Sequence, residues 1–197
     1  MAKRDGRRAR RAAAKKRAAA YDTRSQERLA RQLAALPLEG AWVDPAWERT
    51  GLTPVVMARR GGDGALYVGR FLVDLLCLGV KQAHLEVKVS DALLVRIRDR
   101  LAPPGRALVS VPPEQAASIV EAARTFAAAC GLSPHDGYAK ASAVLSGIDV
   151  SGAAGITTGQ DGMPYLMPGP KDDVAAIVAI LEAQLGKDGF LVADRAR

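Results

Sequence analysis

Aromatic residues make up only 5% of this 197-residue chain, and histidine and cysteine occur twice each. Each shortage excludes something. Two cysteines, Cys77 and Cys130, cannot build a disulfide framework, and a chain this long has enough apolar residues to fold without one. The sequence therefore reads as a protein of a reducing compartment, the cytoplasm. No stretch approaches the roughly 18 uninterrupted apolar residues of a membrane-spanning helix. The charged N-terminus is not followed by the apolar segment of about 7–15 residues that a secretory signal needs. Secretion and membrane insertion are not expected. Residues 1–20 contain no aromatic side chain, which excludes base stacking from that segment.

What is present is a large apolar share, 49%, with 25% charged residues and a net charge of +7, the composition of one globular domain with an appendage. The charge is unevenly placed. Residues 1–20, MAKRDGRRARRAAAKKRAAA, hold nine Lys or Arg and one Asp, leaving 19 basic and 20 acidic side chains for the remainder. An argument for an anionic partner thus attaches to the arm and not to the body. Lys3, Arg4, Arg7, Arg8, Arg10, Arg11, Lys15, Lys16 and Arg17 are the candidate nucleic-acid contacts. They would hold a phosphate backbone without reading sequence, and the arm's lack of bulky apolar residues disfavours a membrane surface. Like charges at helical spacing repel, so the arm is expected to be disordered until an anion neutralises it. The alternative is a solvated tail with no partner.

After this arm, Leu29, Leu33 and Leu36 recur at helical spacing and predict a leading helix over 21–36. Residues 37–197 read as a single α+β domain of antiparallel hairpins packed with three to four helices. The Pro- and Gly-punctuated LPLEGAWVDPAWERTGLTP reads as a loop whose Trp42 and Trp47 cover a core edge. PVVMARR and LYVGRFLV, separated by GGDGA, predict a hairpin, and AHLEVKVS a third strand. Helices are expected after Ser90, over EQAASIVEAARTFAAACG, over YAKASAVLSG and over PKDDVAAIVAILEAQLG, with APPGRALVSVPP an interruption. A second hairpin is expected around Asp161–Gly162, and GFLVAD as a closing strand.

The run RFLVDLLCLGVKQAH poses the chemical question, because Asp74, Cys77 and Lys81 interrupt an apolar stretch. On one reading they serve shape. Asp74 caps a single turn, Gly79 ends it in a left-handed conformation, Cys77 fills space and Lys81 extends to solvent. On the other they line a site in which Lys81 lowers the thiol pKa and His135, in the loop SPHDGY, supplies a base. His84 reads as a surface or edge residue. Cys77, His84, Cys130 and His135 also total four potential zinc ligands. The Cys77–His84 spacing is too long for a ligand knuckle, however, and Cys130 sits on a core stripe, so neither metal nor cofactor is expected. GGDGALYVG precedes no helix and is not a phosphate loop.

Taken together, LYVGRFLVDLLCLGVKQA, GLSPHDGYAKASAVL and GQDGMPYLMPGPKDD resemble an uncharacterised family of small bacterial proteins. That family combines an apolar strand ending in Val-Asp-x-x-Cys-Leu-Gly-Val-Lys, a Pro-His loop and an Asp-Gly-x-Pro hairpin. The resemblance spans roughly residues 47–190. It implies a shared body fold and marks Asp74, Cys77, Gly79, Lys81, His135, Asp161, Gly162, Pro164 and Pro168, without lending a reaction. Leu76 stands where the family often has an aromatic, and Gln82 where it often has an acid. The expectation is an accessory protein held to RNA or a ribosome-like assembly by its arm. The alternatives are a small Cys/His hydrolase or transferase and a protein-interaction module.

Overall fold

A computed structural model describes residues 23–193. The basic arm, with all nine candidate nucleic-acid contacts, lies outside the described residues. The leading helix, α1, occupies 23–34 and buries Leu33 completely. It is followed by β1 (Leu38–Val43), α2 (Trp47–Thr50), β2 (Leu52–Arg60), β3 (Leu66–Asp74) and β4 (Gly79–Val89). Next come α3 (Asp91–Leu101), β5 (Val109–Val111), α4 (Pro113–Ala129) and α5 (Tyr138–Ala141). Two 3-10 turns, β6 (Tyr165–Leu166), α6 (Val174–Leu185) and β7 (Leu191–Val192) complete the order.

β1 to β5 form one antiparallel sheet in the order β4-β3-β2-β1-β5, which makes the fold α+β. The β2–β3 hairpin turns through the Gly-Gly-Asp-Gly cluster, and its strands are apolar on both faces because helices cover both. Val55, Met57, Phe71 and Val73 pack on one side against α4, with Ile119, Val120 and Ala123. Alternate residues Val56, Ala58, Leu66 and Val68 meet Leu94 of α3 on the other. A third cluster joins the turn after β3 to the C-terminal end of α4 and to α6, through Cys77, Cys130, Leu166, Leu181 and Phe190.

Four expectations are corrected. Residues 38–43 form β1 and not a loop, since Ala41, Trp42 and Val43 each bury in a cluster despite the flanking Pro37 and Pro45. The interruption after α3 contains the edge strand β5. The third strand starts at Gly79, five residues before His84, and accommodates Lys81 as the extra residue of a bulge between the Leu72–Gln82 and Val73–Val80 pairs. The expected second hairpin reduces to a tight turn with one bridge, Gln160 to Met163. Asp161 (φ 53°) and Gly162 (φ 81°) adopt the turn geometry, but Pro164 and Pro168 stop a ladder from growing. β6 instead pairs in parallel with the closing strand β7.

Arg59, 3% exposed, has no carboxylate partner among the described residues. Its guanidinium donates to the carbonyls of Leu36 (2.8 Å), Val144 (2.8 Å) and Ser146 (2.6 Å), fastening the end of α1 and the 3-10 segment to β2. Trp42 lies under the Arg98 guanidinium, 4.6 Å from the ring centroid.

Candidate functional site

Asp74 closes β3, and its Oδ1 accepts the N–H groups of Leu76 (2.9 Å) and Cys77 (3.0 Å), so the capped turn is realised. Gly79 ends that turn at φ 68°. A Cβ there would stand 2.5 Å from the Cβ of Ala127, so both the backbone and the close approach of α4 require glycine. Burial pushes the Asp74 carboxyl above its usual range, against the opposing pull of the Cys77 and Leu76 amides and the Lys81 charge.

Cys77 is fully buried. Burial first and the neighbouring Asp74 charge second push its thiol up to about 12, opposite to the depressed value a nucleophile needs. Lys81 pulls the other way but does not prevail, because its ammonium is committed elsewhere. Its Nζ lies 2.6 Å from Asp172 Oδ2, the oxygen that also accepts the Gly169 N–H at 2.8 Å. Lys81 therefore bridges β4 to the lead-in of α6 and does not extend into solvent. Burial pushes the Asp172 carboxyl up, but hydrogen bonds from Lys81 and Gly169 outweigh it and leave the group below its ordinary value.

The His135 backbone N–H donates to the Val80 carbonyl (2.9 Å), while the ring Nδ1 accepts the Gly137 N–H (3.0 Å). Its ring faces that of His84 on edge strand β4, with centroids 5.4 Å apart. Among the described residues no hydrogen bond joins His135 to Cys77. Lys81 and His135, with Asp172 and Ser133, line a shallow groove of about 220 Å³. Asp74 and Cys77 are buried in the turn. The four candidates thus gather around the β3–β4 turn and the start of β4 but do not assemble a nucleophile with its base.

Two larger clefts escaped sequence reasoning. One, of about 320 Å³, lies on the sheet face that α3 leaves open, with Pro54, Leu72 and His84 as floor and Arg106 at its wall. Arg106 pairs with the buried Asp44 at 2.8 Å and Arg70 Nη2 with Glu86 at 2.9 Å, while Arg70 Nε is buried with no hydrogen-bond partner among the described residues. The other, of about 580 Å³, lies between α2, the first turns of α4 and the segment 149–157. Glu48, Glu114 and Asp149 line it, with Trp47 and Ser118, and among the described residues no Lys, Arg or His does. Asp149 is held below its ordinary pKa by the N–H and hydroxyl of Ser151, both at 2.9 Å. Neither Glu48 nor Glu114 enters an ion pair among the described residues. In the sequence these acids look like helix-start and turn residues, so only their tertiary convergence marks them.

Within the described residues no three His, Cys, Asp or Glu groups converge closely enough to hold a metal ion, and no helix is long and apolar enough to cross a membrane. Compared with family models, with curated proteins and with solved structures, the chain matches none.

Proposed function

We propose that this chain is an accessory binding protein that attaches to nucleic acid, RNA foremost, through the nine cations of its N-terminal arm. The single observation that carries this reading is the charge partition, nine basic residues and one acidic among residues 1–20 against a near-neutral remainder. Neutralising phosphates releases condensed counterions, a sequence-independent and salt-sensitive gain that needs no pocket. Two free, buried thiols are compatible with a reducing, cytoplasmic setting. Binding is favoured over catalysis because the body's reactive groups already have structural work: Asp74 caps, Cys77 packs, and Lys81 is tied to Asp172. Deleting residues 2–20 and measuring RNA and DNA retention at low and at physiological salt tests the proposal. Retention is expected to collapse, and unchanged retention ends it.

A protein-interaction role has its own support in the C-terminal unit. Ile180, Leu191 and Val192 stand 41%, 43% and 45% exposed on elements otherwise built from apolar residues. If that surface docks a protein, Ile180→Glu weakens the association without shifting the melting temperature of the isolated chain.

A further inference from the structure

The cleft of about 320 Å³ on the open sheet face brings two guanidiniums to an apolar floor. Arg70 reaches it from the middle of the sheet, where it stands beside Val56 of β2 and His84 of β4. Arg106 reaches it from the loop between α3 and β5. Asp44, the one carboxylate among the described lining residues, is fully occupied, its side chain 1% exposed. Its Oδ2 accepts from Arg106 at 2.8 Å and its Oδ1 from the Ala46 N–H at 3.2 Å. That bond uses one of the five donors of Arg106, which orients the guanidinium and leaves the others for a second acceptor. Arg70 adds an independent sign of a ligand. Its Nη2 lies 2.9 Å from Glu86, but its Nε is buried and has no hydrogen-bond partner among the described residues. A buried N–H without an acceptor keeps the cost of its lost water, so this donor lacks a group that the described fold does not supply. The Arg70 side chain is 28% exposed, so a small turn of the guanidinium presents Nε to an acceptor in the cleft.

Charge and lining together narrow the ligand class. Two guanidiniums against one carboxylate leave the lining one positive charge in excess, with His84 counted neutral, which matches a monoanion better than a dianionic phosphate. Guanidinium forks suit the two planar oxygens of a carboxylate. The floor suits hydrocarbon, since Leu52, 39% exposed, lines the same space with Pro54, Leu72 and Leu101. The volume lies at the small end of the range that organic ligands occupy, room for roughly ten water-sized groups. We propose that this cleft binds a small organic carboxylate, its oxygens accepting from Arg70 and Arg106 and its hydrocarbon body lying on Leu52, Pro54 and Leu72. The site is independent of the arm and of its nucleic-acid contacts.

Calorimetric titration of octanoate into the full chain, and into the chain lacking residues 2–20, tests this. Saturable one-site binding of equal affinity is expected in both. Octanamide keeps the tail without the charge and should bind at least about tenfold more weakly, the effect of losing charged hydrogen bonds. From butyrate to octanoate, each added methylene should tighten binding about two- to fourfold as the floor buries it. These two arms use the unaltered protein. Arg70→Met keeps the stem without the guanidinium and should weaken octanoate at least about tenfold. Gln82→Trp, at an exposed lining position of β4, should block the cleft by bulk. Lys140→Met, which removes an exposed cation outside the lining, should change nothing, and each variant is checked for an unchanged melting temperature. No saturable binding in either chain would overturn the proposal, as would binding that disappears with the arm. So would octanamide binding as tightly as octanoate, inorganic phosphate displacing octanoate at equal concentration, or affinity that survives both Arg70→Met and Gln82→Trp.

Discussion

Arg59 shows how much of the body's order rests on single buried polar groups. Its guanidinium serves at least three carbonyls from two separate segments, and burial pushes its pKa down without neutralising it. Arg59→Met should cost roughly 3 kcal/mol, because the stranded carbonyls keep their desolvation penalty. Arg59→Lys should recover less than half, since an ammonium cannot reproduce the planar fork. Urea unfolding of the two variants against the parent measures both. Cys77 belongs to the same scale. With its thiol pushed up to about 12, it should stay unlabelled by a thiol reagent at neutral pH until the chain unfolds, and rapid native labelling of Cys77 would revive a nucleophilic role. Asp74→Ala removes the oxygen that accepts both N–H groups of the turn and should cost about 1–2 kcal/mol, whereas Asp74→Asn keeps an acceptor. The native Asp74 pKa lies above its unfolded value of 3.8. Ionising it therefore opposes folding as pH rises from about 4 through the native value, and Asp74→Asn should flatten that slope.

Between elements, the Lys81–Asp172 pair is the device that ties β4 to α6. Both side chains are mostly buried, 16% and 17% exposed, so the contact is worth more than a surface ion pair. Asp172 titrates below its ordinary 3.8 in the folded chain. Its stabilisation is therefore present above about pH 4 and is lost as pH falls through the native value. Lys81→Met should lower stability by roughly 1–2 kcal/mol at pH 7. The gap between Lys81→Met and the parent should close as denaturation curves are taken into acid, and a gap independent of pH would assign the loss to packing. Elements also mark where sequence reading works. The β2–β3 hairpin, the Ser90 cap and α4 were legible because turn residues, cap and period agree locally. β1 was not, because Pro37, Gly40 and Pro45 look like punctuation until Trp42 is seen packing across the sheet. The Asp161–Gly162 turn was legible, but its partner strand was not, since β7 pairs with β6 from twenty-six residues away, a contact local pattern cannot encode.

On the scale of the whole molecule, the candidate site divides the same way. The capped turn could be read from Asp74 and Gly79 alone, whereas Asp172, the partner of Lys81, lies ninety-one residues downstream and was not singled out. The acidic cleft gathers residues from three segments, each ordinary in its own context. The charge partition needs no structure, because it is a sum over the sequence. It remains the central claim, a near-neutral α+β body carried on a phosphate backbone by a cationic arm. The most direct measurement is RNA affinity as a function of salt between about 50 and 200 mM, for the full chain and for one lacking residues 2–20. Nine phosphate contacts on a single strand predict a log–log slope of roughly −6 for the full chain, falling to near zero without the arm. A slope that truncation leaves unchanged would contradict the account.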